Sequence, residues 1–175
     1  TIDVAYGTNC FLLKIDTIWY NITIDNGNYT VDGGDTDIIA ALNAEIWSVT
    51  PYDPTTWSEP FKYIKTSGKV VFTPPDNTSG TIIWYLSKGE INNTDIFDGQ
   101  RPEMCDTNCG IRKKANSNLG YLLGFRNTKY EWTNDLPGYN SNDYTPQVVQ
   151  KVFVKNSDFY NYTPKGTLPP DTIKS

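Results

Sequence analysis

Phe11-Leu12-Leu13-Lys14-Ile15-Asp16, followed by Thr17-Ile18-Trp19-Tyr20-Asn21-Ile22-Thr23-Ile24, is the stretch that decides the fold. Phe11, Leu13 and Ile15 alternate with Leu12, Lys14 and Asp16. Successive side chains of a strand point to opposite faces, so this alternation reads as a strand. The apolar set then moves to Ile18, Tyr20, Ile22 and Ile24, opposite Thr17, Asn21 and Thr23. A slip of one residue exchanges the buried and exposed faces, so Asp16-Thr17 marks a bulge or a break between two strands. Asp25-Asn26-Gly27-Asn28 then turns the chain.

Downstream, Asp32-Gly33-Gly34 is a breaker, and Asp35 or Thr36 is placed to cap a helix with Asp37 in its first turn. Ile38, Ile39, Leu42 and Ile46 recur at helical spacing, Asn43 and Glu45 fall off that face, and Thr50-Pro51 ends the helix. The runs 61–65 and 69–73 flank Thr66-Ser67-Gly68 as a β-hairpin, and a strand is expected over 81–86. Residues 87–118 read as a long polar excursion. A short helix follows, with Ser117 or Asn118 as cap, Leu119, Leu122 and Leu123 inside it and Gly124 at its end. Residues 127–146 are turn-rich, Val148, Gln150, Val152 and Val154 alternate as a last strand, and the end is Pro-rich. The order predicts a single β-rich domain over 1–155 and an extended tail over 156–175. Its class is α+β and mostly β: an antiparallel sheet, or a β-sandwich of jelly-roll type, with one amphipathic and one short helix.

Composition limits the chemistry. The chain has 175 residues, a net charge of −5 and no histidine. Without imidazole there is no Ser-His-Asp or Cys-His catalysis, and nearly all catalytic zinc sites are lost. The acidic balance argues against nucleic acid as a partner; the basic cluster Arg112-Lys113-Lys114 reads as a solvated face. The longest apolar runs, such as 82–86, have strand length, so no membrane span is expected. The chain begins without Met and without a signal-like segment, so residue 1 reads as a boundary set by processing or cutting. Neither a cofactor nor a metal is expected.

Two segments resemble a known family. The first is Tyr20-Asn21-Ile22-Thr23-Ile24-Asp25-Asn26-Gly27-Asn28-Tyr29-Thr30 with the following helix, which carries Ala41-Leu42-Asn43. The second is Asn118-Leu119-Gly120-Tyr121-Leu122-Leu123-Gly124-Phe125-Arg126. Their order and spacing, over about residues 18–126, resemble minor capsid, vertex and virion-associated proteins of large eukaryotic DNA viruses, of the giant-virus and algal-virus type. The loop 87–116 and the insert Asp32-Gly33-Gly34-Asp35 depart from that pattern. The resemblance implies a non-enzymatic component of an icosahedral shell that binds neighbouring capsid proteins, major or minor. It carries over no catalytic residue.

Tyr52, Trp57, Trp132, Tyr139 and Tyr144 lie in Pro-, Asn- and Gly-rich loops, where aromatic rings anchor protein interfaces or stack on sugars. Arg126 either pairs with a carboxylate or reaches across an interface. These aromatics also support an alternative reading, a secreted or viral-surface module that binds a glycan or receptor. Cys105 and Cys109 are spaced for a local disulfide or stand as free thiols, and Cys10 is the third cysteine. Of the sequons at Asn21, Asn28, Asn77, Asn92 and Asn161, Asn77 and Asn161 are the best acceptors. Asp32, Asp35 and Asp37 surround a flexible turn as a calcium site would, although capping explains them more simply. A carboxylate hydrolase would draw on Glu59, Glu90, Asp98 and Glu103, all in segments where solvated acids are the norm.

Overall fold

A computed structural model of the chain describes residues 1–31, 33–91, 93–97, 99, 111 and 116–133. The change of phase at Asp16 proves to be a hairpin joining β1 (Cys10–Ile15) to β2 (Ile18–Thr23), with Ile15 opposite Ile18. Asp16 takes the left-handed turn conformation, φ 55°. Its N–H donates to the carbonyl of Ser79 at 2.6 Å, and its carboxylate accepts from the Ser79 N–H at 3.1 Å. The turn is therefore anchored to the residue that leads into β5 (Gly80–Ile83).

The remaining elements are α1 (Ile38–Val49), β3 (Phe61–Ile64), β4 (Lys69–Phe72), α2 (Lys88–Ile91), α3 (Leu119–Leu123) and β6 (Lys129–Trp132). Short 3-10 turns occupy Val4–Tyr6 and Thr94–Phe97. A four-stranded sheet runs in the order β2-β1-β5-β6 with every pairing antiparallel, and β3-β4 forms a separate hairpin. The architecture is α+β around an antiparallel sheet, as the sequence predicts.

Strand β1 is central, and both of its faces are covered. Phe11, Leu13 and Ile15 join Ile22 and Ile82 beneath α1 and the β3-β4 hairpin, in a core completed by Trp84, Phe61, Phe72 and Phe125. Cys10 and Leu12 point the other way and, with Ile83, meet Leu86, Ile91, Phe97 and Ile111. The stretch expected to be a polar excursion thus supplies the cover of a second, smaller core. Fully burying one such side chain contributes roughly 1.5–3 kcal/mol. The segment's first turn is set by a capping box: Glu90 Oε2 accepts from the Ser87 N–H at 3.1 Å, and Ser87 Oγ accepts from the Glu90 N–H at 3.2 Å.

Helix α1 corrects two expectations. Its N-cap is Asp37, not Asp35 or Thr36, with the carboxylate accepting from the Ile39 N–H at 2.8 Å. Thr30 and Asp37 form a β-bridge, which brings Asp37 to the cap position. Asn43 was expected off the apolar face, yet it is buried, because its amide bonds to the backbone of β3. Strand β6 lies within the stretch read as turn-rich; Lys129-Tyr130-Glu131-Trp132 alternates, but over four residues. The expected strand over 148–154, the tail 156–175 and the basic cluster 112–114 lie outside the described residues.

Candidate interaction surface

The segment Leu119 to Arg126 has a structural reason at nearly every position. Asn118 caps α3 by accepting from the Tyr121 N–H at 2.9 Å. Leu119 and Leu123 are buried. Gly120 lies flat against the indole of Trp84, so close that a Cβ would overlap the ring. Gly124 adopts φ 102°, a left-handed end that lets the Phe125 N–H reach the Gly120 carbonyl at 2.8 Å. Phe125 then packs on Trp84 with ring centroids 5.1 Å apart.

Arg126 closes the motif. Its Nη1 donates to the carbonyls of Tyr121 at 3.0 Å and Phe125 at 3.3 Å, and its guanidinium lies 4.3 Å from the Tyr121 ring centroid. A cation at a helix C-terminus satisfies carbonyls that have no partner within the helix. These observations account for a structural role. They leave Tyr121 40% exposed and Leu122 52% exposed side by side, with Arg126 exposed over the tyrosine ring. Leu122 was expected to pack inside the short helix; instead it faces outward. Tyr and Arg are the residue types that anchor protein interfaces.

The aromatic anchors named from the loops divide differently. Trp57 is 5% exposed and Trp132 is 7% exposed, so neither offers a face for stacking. The Trp57 indole N–H donates to the Thr73 carbonyl at 2.7 Å, and its ring meets Phe72 edge-on at 5.8 Å. Asp53 organises this burial. Its carboxylate accepts from the Thr55 hydroxyl at 2.6 Å and from the Thr55 and Thr56 N–H groups at 2.9 Å, while its carbonyl accepts from the Trp57 N–H at 2.8 Å. Those hydrogen bonds, led by the Thr55 hydroxyl, lower the Asp53 pKa to about 2. Trp132 fills the space that Gly80 leaves on the neighbouring strand, and its indole N–H donates to Thr78 Oγ1 at 3.1 Å. Tyr52 is half-buried edge-on to Trp57, and burial followed by the charge of Asp16 raises its pKa. Tyr139, Tyr144 and the sequon at Asn161 lie outside the described residues, whereas Asn77 is exposed at a left-handed turn position, φ 58°.

A polar cleft of about 550 Å³ opens on the outer side of the β3-β4 hairpin, lined by Thr55, Ser58, Glu59, Lys62 and Thr73 among others. Glu59 pairs there with Lys62 at 3.2 Å. Glu90 serves the capping box, and Asp98 and Glu103 lie outside the described residues. Of the three acids considered for calcium, Asp37 is the helix cap and Asp32 is not among the described residues. Among the described residues no group of three or more His, Cys, Asp or Glu side chains comes together, and no helix is long and apolar enough to cross a membrane.

Cys10, fully buried in the second core, is disulfide-bonded. Cys105 and Cys109, expected as a local disulfide or as free thiols, lie outside the described residues.

Comparison of the chain with protein-family models, with curated proteins and with solved structures finds no match.

Proposed function

We propose that the chain is a virion structural protein, a minor capsid or capsid-associated component, that binds neighbouring capsid proteins through the outer face of α3 without catalysing a reaction. The observation that carries this reading is the exposed pair Tyr121 and Leu122 beside Arg126. Within 118–126 the other large apolar side chains, Leu119, Leu123 and Phe125, are buried in the core. The buried disulfide at Cys10 agrees with a virion or extracellular setting, where such bonds persist. The test is binding of the full chain to its capsid partners, with Leu122→Asp and Arg126→Glu as variants. Leu122→Asp should keep the thermal midpoint and lose about 2 kcal/mol of binding, roughly 30-fold in affinity. Arg126→Glu should weaken binding in the same direction. Full-strength binding by both variants would remove this face from the function.

A second reading, a secreted or viral-surface module that binds a glycan or receptor, is favoured by the disulfide and by the exposed sequon at Asn77. The burial of Trp57 and Trp132 removes two of its expected stacking platforms. Specific binding on a glycan array by the wild-type chain, unaffected by Leu122→Asp, would select it over the first.

A further inference from the structure

The fold sorts the sequons at Asn21, Asn28 and Asn77. Asn21 lies half-buried in the middle of β2, opposite Leu12 of β1 and on the face turned to the smaller core. A bulky sugar has no room there. Asn28 is exposed, but its Oδ1 accepts from the Thr1 hydroxyl at 2.6 Å, and the Thr30 hydroxyl two residues on lies 3.3 Å from that of Thr36. Asn77 is presented differently. It is exposed on the turn between β4 and β5 with φ 58°, a left-handed conformation that Asn adopts more readily than bulkier residues. The turn is held from its inner side. Thr78 is buried, and its hydroxyl donates to the Pro75 carbonyl at 2.7 Å and accepts from the Trp132 indole N–H at 3.1 Å. Ser79, the hydroxyl residue of this sequon, is tied to Asp16 through both its N–H and its carbonyl. The flanks are thus fixed to the body of the protein while Asn77 stays in solvent.

We propose that Asn77 is a modification site, the acceptor of an N-linked glycan. This rests on the secreted or viral-surface reading, because the sugar donor is met on that route. The reaction is a group transfer with no change of oxidation state. Asn77 Nδ2 forms a bond to C1 of the first sugar of a lipid-linked diphosphate donor. The bond from C1 to the diphosphate oxygen breaks, the lipid diphosphate leaves, and the amide gives up one proton. Asp76, the preceding residue, lines the polar cleft on the outer side of the β3-β4 hairpin, so the glycan is rooted at the edge of that cleft. A bulky, hydrated sugar there shields this side of the hairpin and leaves the core as it is.

Secretion of the full chain from a eukaryotic cell line behind a heterologous signal peptide, followed by intact-mass and glycopeptide analysis, tests it. The peptide that contains Asn77 should carry a glycan, and the one that contains Asn21 should be bare. Ser79→Ala removes the sequon while keeping Asn77 and both backbone bonds to Asp16, and it should lower the intact mass by one glycan. Asn77→Gln should do the same by removing the acceptor itself. A secreted chain with Asn77 bare would overturn the site and leave the secreted reading standing. An intact mass that keeps every glycan in Ser79→Ala would overturn it equally. Failure of the wild type to leave the cell would remove that reading and the site with it.

Discussion

Asn43 and Phe61 are joined by two hydrogen bonds. Asn43 Nδ2 donates to the Phe61 carbonyl at 2.9 Å, and the Phe61 N–H donates to Asn43 Oδ1 at 2.8 Å. The side-chain amide acts as a one-residue strand partner and fixes α1 against β3, the hairpin that roofs the larger core. Asn43→Leu keeps the volume but leaves both backbone groups buried and unpaired, so the expected cost is about 2–5 kcal/mol in a denaturant titration. A loss under about 0.5 kcal/mol would show that the pair does not hold the roof.

Trp57 and Trp132 belong to the core, so their truncation should be read as a loss of stability. Trp57→Ala is expected to cost about 3–5 kcal/mol. Trp57→Phe keeps a ring but leaves the Thr73 carbonyl without its donor, for about 1–3 kcal/mol. Denaturant midpoints check both; midpoints equal to wild type would mean that the ring is not packed on Phe72.

Gly120 gives α3 its distance from the sheet. A methyl at that position meets the Trp84 ring, which is itself fully buried against Phe11 and Phe125 and has no room to retreat. Gly120→Ala should therefore destabilise by about 1–3 kcal/mol despite the better helix propensity of alanine. A stabilised variant would contradict the close approach.

The acid limb of stability should carry the signature of Asp53. Its pKa in the fold is about 2, below an ordinary value of 3.8, because the Thr55 hydroxyl and two backbone N–H groups favour the charged form. A depressed carboxyl stabilises above its unfolded value and loses that contribution as pH falls through the folded value. The denaturant midpoints of wild type and Asp53→Asn should thus differ at pH 5 and converge near pH 2. A difference that stays constant across this window would rule out the assigned role.

Glu45 should show the opposite sign. Burial, and then the charge of Asp25, raise its pKa, so its ionised form opposes folding. Glu45→Gln should leave stability at pH 7 unchanged or slightly higher, and the wild type should gain on the variant as pH falls through the raised pKa. A clear loss of stability at pH 7 in Glu45→Gln would point to an ion pair instead.

What could be read beforehand was periodic. The β1-β2 pair, α1, the β3-β4 hairpin and α3 each repeat their apolar residues at the period of the element they form. The second core has no such signature: Leu86, Ile91, Phe97 and Ile111 are spread over 26 positions (111 − 86 + 1) and meet only because the sheet is buried on both faces. Trp57 was legible as a loop residue but not as a buried one, since the Asp53 turn that aims it inward sits among residues typical of exposed loops. Arg126 was legible as a choice between structural and interface roles. The structure shows the first in its bonds to two carbonyls, and the second is part of the proposed function. Burial of Cys10 follows from its place on the central strand, but its disulfide bond has no signature in that pattern.

The most direct test of the proposed function is a near-atomic map of the virus particle to which this chain is proposed to belong. It should show Tyr121, Leu122 and Arg126 buried against a neighbouring capsid subunit. A map with that face of α3 open to solvent, or a particle from which the chain is absent, would contradict the account.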